Sequence, residues 1–134
     1  MQGTMQSAPA SKGRLWASRI LSGLAVLFML ADAVMHMLQP QPVVDAFNRL
    51  GYPIQLAVPL GLIVIICVAL YALPRTSFLG ALFLTGYLGG AVSSHVRIGD
   101  APFNITFQFI VATMIWAGLF LHDRRLPALF APAK

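Results

Sequence analysis

Asp32 and His36 stand four residues apart in a long apolar stretch, and His95 and Arg97 close another such stretch. Asn104 and Gln108 repeat the four-residue spacing near the start of a third, and Gln55 opens a fourth. Four residues on a helix is one turn on one face, so Asp32 can orient the His36 imidazole and relay a proton through it. A second chemistry is recognition of a small molecule. A quinone headgroup, for example, has two carbonyl oxygens that need donors, and His36, His95, Arg97, Asn104 or Gln108 can supply them while apolar walls take its tail. Asp32, His36 and His95 are also the ligand types of a two-histidine, one-carboxylate metal site. No fourth ligand accompanies them, and no metal is expected. The same groups can serve structure alone, since polar side chains inside a helical bundle need partners whatever the protein does.

The elements that must position these residues are membrane spans. The chain has 134 residues, 58% hydrophobic and only 10% charged, with mean hydropathy +0.79. This is not the composition of a soluble domain. Apolar segments over residues 15–38, 54–73, 78–96 and 103–121 are each long enough to cross a bilayer. They predict an all-α, four-helix transmembrane bundle with one domain over residues 14–126. Residues 1–13 are expected to be a disordered tail and residues 127–134 a second tail after Pro127. Residues 43–50, between the first two spans, read as a short amphipathic helix on the membrane surface. Pro42 starts it and Gly51 stops it, with Val43, Phe47 and Leu50 on one side.

Asp32 within a span costs roughly 3 kcal/mol of insertion energy, which several flanking Leu, Ile, Phe and Val residues offset at about 0.3–0.6 each. The segment inserts, but Asp32 must avoid lipid. Stepping back from His36 at helical spacing gives Asp32, Met29, Ala25, Ser22 and Ser18 as the inward face of span one. Ala31-Asp32-Ala33 imitates a signal-peptide cleavage site. The apolar run continues beyond it and an acid within the motif is unfavourable, so an uncleaved helix is expected. Pro59 allows a bend early in span two, and Ser77 is placed to cap span three. Gly86, Gly89, Gly90 and Ser94 form a small-residue stripe that predicts close helix packing.

The net charge of +5 and pI near 10.2 could signal nucleic acid, but no aromatic-basic interleaving or basic module is present. Positive-inside topology accounts for the charge. With both termini cytoplasmic, Lys12, Arg14, Arg19, Arg75, Arg124, Arg125 and Lys134 lie inside, and only Arg49 and Arg97 outside. That topology brings Asp32, His36, Gln55, His95, Arg97, Asn104 and Gln108 to one depth, the outward half. Nothing comparable is legible in the other half. Asp32 and Arg97 are expected to pair there, directly or through a histidine, because no other acid lies within the spans. Cys67 is the lone cysteine, so an internal disulfide or paired-thiol chemistry is excluded.

Several landmarks occur together: Asp32-x-x-x-His36, Leu50-Gly51-Tyr52-Pro53, Leu73-Pro74-Arg75, Thr85-Gly86-Tyr87-Leu88-Gly89-Gly90-Ala91, His95-Val96-Arg97 and Asp123-Arg124-Arg125-Leu126. With them the chain resembles the DoxX-like family of small bacterial four-helix membrane proteins, over residues 12–126. The family name goes back to a membrane subunit of a thiosulfate:quinone oxidoreductase, and related proteins are linked to redox-stress complexes. The resemblance therefore implies a bacterial inner-membrane protein, an accessory subunit of a redox complex that binds quinone. Its partners would be the bilayer and either a redox protein or further copies of itself. No complete catalytic constellation is legible, so a non-catalytic role is expected. A small proton-coupled transporter using Asp32 and His36, or a purely structural membrane partner, are the other readings.

Overall fold

The computed structural model of the protein describes residues 11–132. It is all-helical over that range: α1 (Lys12–Leu38), α2 (Gln41–Leu50), α3 (Ala57–Ala72), α4 (Ser77–Arg97), α5 (Pro102–His122) and α6 (Arg125–Leu129), with a 3-10 turn at Ile54–Leu56 leading into α3. α1, α4 and α5, and α3 together with its 3-10 turn (Ile54–Ala72), are long and apolar enough to cross a membrane. At 1.5 Å per residue, α1 alone extends about 40 Å.

Local chemistry places the helix ends. Ser11 accepts a hydrogen bond from the Arg14 backbone N–H, so α1 begins at Lys12. Lys12 and Gly13, expected in a tail over residues 1–13, are therefore helical, because a serine N-cap satisfies an otherwise orphan donor; residues 1–10 lie outside the described residues. At the other end of α1, Gln39 adopts a left-handed conformation and its N–H returns to the Met35 carbonyl, with Pro40 preventing continuation. Gly51 ends α2 in the same way at φ +76°, a conformation that glycine adopts without steric cost. Pro59 falls in the first turn of α3, where a missing N–H costs little.

Two terminal details differ from expectation. Ser77 does not cap α4; its hydroxyl donates to the Leu73 carbonyl, and Thr76 donates to Leu70, so both side chains serve the exposed end of α3. Pro127 does not end helical structure, because it sits in the first turn of α6, where proline is tolerated. Leu126 is buried in the core and Phe130 packs on Phe120 at 5.8 Å, which ties residues expected to be a tail onto the bundle. Residues 133–134 lie outside the described residues.

α1 packs against α3 and α5, and α4 packs against the same two, so α1 and α4 face each other across a diagonal. The inward face of α1 carries buried Ser18, Ala25, Met29 and Ala33. Together with Val64, Leu84, Leu88, Val111 and Ile115 these residues form the core. Leu27, Ile66 and Phe109 among many others stay exposed on the outer surface. Lipid satisfies such a surface; water would not. Arg14 donates to the Phe120 and Leu121 carbonyls, each at 3.0 Å. The start of α1 and the end of α5 thus meet at one end of the bundle.

Helices approach most closely at glycines other than those expected. A methyl group at Gly80 would overlap the Tyr71 backbone, one at Gly118 would overlap Ser22, and one at Gly61 would lie 3.0 Å from the Ala33 carbonyl. Gly86, Gly89 and Gly90, by contrast, have open space where a side chain would go. No other helix of this chain therefore packs on the G-x-x-x-G stripe. The diagonal partner of α4 is too distant to fill it, and at Gly86 and Gly90 the space belongs to a cavity.

Candidate functional site

On α1, the four-residue spacing lets the His36 Nδ1 donate to the Asp32 carbonyl at 2.7 Å, and it lies 3.6 Å from the Asp32 carboxylate. On α4, Tyr87, Ala91, Ser94 and His95 share one face by helical spacing. The Tyr87 hydroxyl reaches across the diagonal and donates to Asp32 Oδ2 at 2.8 Å. α2 closes the end of the bundle. Its Phe47 ring meets the His36 imidazole edge-on at 5.4 Å and the Tyr52 ring at 6.4 Å. The Ser94 hydroxyl donates to the Gly90 carbonyl, so the 2.9 Å contact between Tyr52 and Ser94 must use the tyrosine proton.

Between these elements lies a cavity of about 670 Å³, within the range that holds drug-sized ligands. Asp32, His36, His95, Tyr87 and Gln108 supply its polar wall, and Phe28, Leu60, Ile63, Phe107 and Val111 much of its apolar wall. Gly86 and Gly90 give it depth, since any side chain there would project into it.

A second cluster secures the rim. Asp100, in the turn between α4 and α5, accepts from His95 Nδ1 at 2.6 Å, the Asn104 amide at 3.0 Å and the Ala101 N–H at 2.8 Å. Arg49 of α2 stands 3.3 Å from the same carboxylate. The His95 hydrogen bond, followed by the Ala101 N–H and Asn104, lowers the Asp100 carboxyl from its ordinary 3.8 to about 2. Arg97 donates to the Leu50 carbonyl at the end of α2, and its guanidinium lies 6.0 Å over the Tyr52 ring.

The expected cluster thus divides. Asp32, His36, His95 and Gln108 line the cavity. Asn104 and Arg97 fasten its rim instead, and Gln55 is exposed on the 3-10 turn, away from the cavity wall. The expected pairing of Asp32 with Arg97 is replaced by Tyr87 and His36 on one side and the Leu50 carbonyl on the other. A neutral phenol suffices to hold the acid once it is partly exposed to the cavity. Asp32, His36 and His95 do not gather as metal ligands, because His95 turns to Asp100; no three such groups converge among the described residues. Tyr87 and Tyr52 were missed as site residues. Tyr87 was legible in principle, being on the His95 face two turns earlier.

The opposite half is not empty of polar contacts either. Ser18 donates to the Gly118 carbonyl at 2.9 Å, Tyr71 donates to the Ile115 carbonyl at 2.8 Å, and Ser22 bonds the Tyr71 hydroxyl at 2.9 Å. A smaller cleft of about 310 Å³ adjoins them, with Arg19 and His122 at its edge. Serines and tyrosine at helical spacing are easily overlooked beside charged residues.

A family model described as the DoxX-like family matches residues 20–118. The chain belongs to the DoxX-like family. No curated protein and no solved structure matches it. The matched region contains the whole cavity wall, from Phe28 to Val111. With its four apolar helices, this DoxX-like chain is a multi-pass membrane protein.

Proposed function

We propose that this DoxX-like protein is an accessory subunit of a redox complex and holds a quinone-class molecule in the cavity. The observation that carries the reading is the cavity itself, whose polar groups gather against Asp32 and Tyr87 while its walls are apolar. A bundle whose polar residues served structure alone would pair them and close the space. Here the glycine stripe keeps the space open. A planar ring with an isoprenoid tail matches such a volume, and the membrane supplies it laterally. The redox-complex setting comes from the resemblance read in the sequence, with electron transfer assigned to a partner.

In the orientation that the basic residues favour, the termini face the cytoplasm of a bacterial inner membrane and the cavity opens in the outward half. Lys12, Arg14, Arg19, Arg75, Arg124 and Arg125 then sit on the inner side.

The test is an organic extract of the purified protein analysed by mass spectrometry. Quinone near one equivalent is expected in the wild type, and a marked loss in Gly90→Leu, which fills the cavity. Quinone no more abundant than in an unrelated membrane protein purified in parallel would sink the reading.

A further inference from the structure

We propose that the cavity selects the reduced, hydroquinone form of its ligand over the oxidised quinone. The inference rests on the quinone-class reading above and adds which redox state the site recognises. It follows from an inventory of hydrogens at the polar wall.

Nearly every hydrogen there is already committed. The Tyr87 hydroxyl gives its proton to Asp32, Tyr52 to Ser94, and Ser94 to the Gly90 carbonyl. The His36 Nδ1 faces the Asp32 carbonyl at 2.7 Å, and a carbonyl can only accept, so that nitrogen carries the hydrogen. The His95 Nδ1 faces the Asp100 carboxylate at 2.6 Å and carries its hydrogen for the same reason. In a neutral imidazole the other nitrogen is then a lone pair. Neither Nε2 has a hydrogen-bond partner among the described residues, and both histidines line the cavity. The second oxygen of Asp32 is also without a partner among the described residues. With both imidazoles neutral and Asp32 ionised, the wall offers these three acceptors beside the Gln108 amide oxygen, and the Gln108 NH2 is its one uncommitted donor among the described residues.

A quinone presents two carbonyl oxygens, which are acceptors only. Against this wall one of them meets a lone pair, and a polar group buried without its partner loses its hydration for nothing. A hydroquinone presents two O–H donors, and each finds an acceptor. The discrimination resembles that of any site built to hydrogen-bond a hydroxyl, which rejects the analogue that lacks it. A preference of roughly tenfold or more is expected from one such mispaired group. For a two-electron couple, tenfold tighter binding of the reduced form raises the bound midpoint potential by about 30 mV.

The experiment is titration calorimetry of the full chain in detergent under argon, with decylubiquinol and with decylubiquinone. Decylubiquinol binding at least tenfold tighter supports the proposal. Equal affinities, or tighter binding of decylubiquinone, overturn it while leaving the quinone-class reading intact. Binding of neither overturns both. In His36→Gln an amide replaces the lone pair and can donate, so the preference should fall below threefold as quinone binding tightens. An unchanged preference in a folded His36→Gln protein counts against His36 as a selecting group and against the inventory. If that variant does not fold, the wild-type comparison still decides.

Discussion

Tyr87 donates a hydrogen bond to Asp32 at 2.8 Å, joining α4 to α1 across the diagonal of the bundle. It is the contact that lets an acid sit within a span without an arginine. Tyr87→Phe and Asp32→Asn should each destabilise the protein in detergent unfolding, with a coupling of about 0.6–1.7 kcal/mol between them. Asp32→Asn and Arg97→Gln should add within about 0.5 kcal/mol. The reverse pattern of couplings would restore Arg97 as the partner of Asp32.

Gly80 and Gly90 should separate stability from binding. Gly80→Ala drives a methyl into the Tyr71 backbone and should cost at least about 1–3 kcal/mol. Gly90→Leu meets open space and should melt near the wild type while losing bound ligand. Similar melting losses for both would mean that α4 packs through its glycine stripe after all.

Asp100 makes an acid-side prediction. Its folded carboxyl titrates near 2 instead of the ordinary 3.8, so the charged form is favoured by folding. That stability is complete above 3.8 and is lost as pH falls toward and below 2. Asp100→Asn should flatten this part of the stability profile measured by melting between pH 5 and pH 2. An unaltered acid limb would show that His95 and Asn104 do not hold the carboxylate in solution.

Arg97 fastens the end of α2 through the Leu50 carbonyl, and Tyr52 through Ser94. Arg97→Gln should loosen α2 by about 1 kcal/mol, seen as roughly fivefold faster amide hydrogen exchange over residues 47–52. Exchange in the α3 core should stay unchanged. A uniform rise throughout the chain would indicate global destabilisation instead of a local strap.

Topology is checked by reporter fusions at Lys134 and within Gln41–Leu50, which should report opposite sides of the membrane. A periplasmic Lys134 would invert the proposed orientation and move the cavity to the cytoplasmic half.

Much of the architecture was legible in the residues alone. A span is declared by some twenty consecutive apolar residues, and α2 by Pro42, Gly51 and an apolar face, so the elements and their order follow from local sequence. The gathering of Asp32, His36, His95 and Gln108 around one cavity was legible too, since antiparallel spans of similar length bring them to the same end of the bundle whatever their detailed packing. Charge type and position along the chain carry that information without any contact being known.

Which helix faces which was decided only by the tertiary structure. A G-x-x-x-G stripe has the same appearance whether a backbone approaches it or a cavity does, and the placement of α1 and α4 on the diagonal makes it a cavity. Arg97 and Asp32 look like partners by charge. Yet rotation of α4 about its axis presents Tyr87 to Asp32 and leaves Arg97 to Leu50 at the rim. The close contact at Gly80 seats α4 on the Tyr71 backbone of α3, while those at Gly61 and Gly118 seat α3 and α5 on α1. Such fits depend on shape in three dimensions, which residue type and spacing do not encode individually.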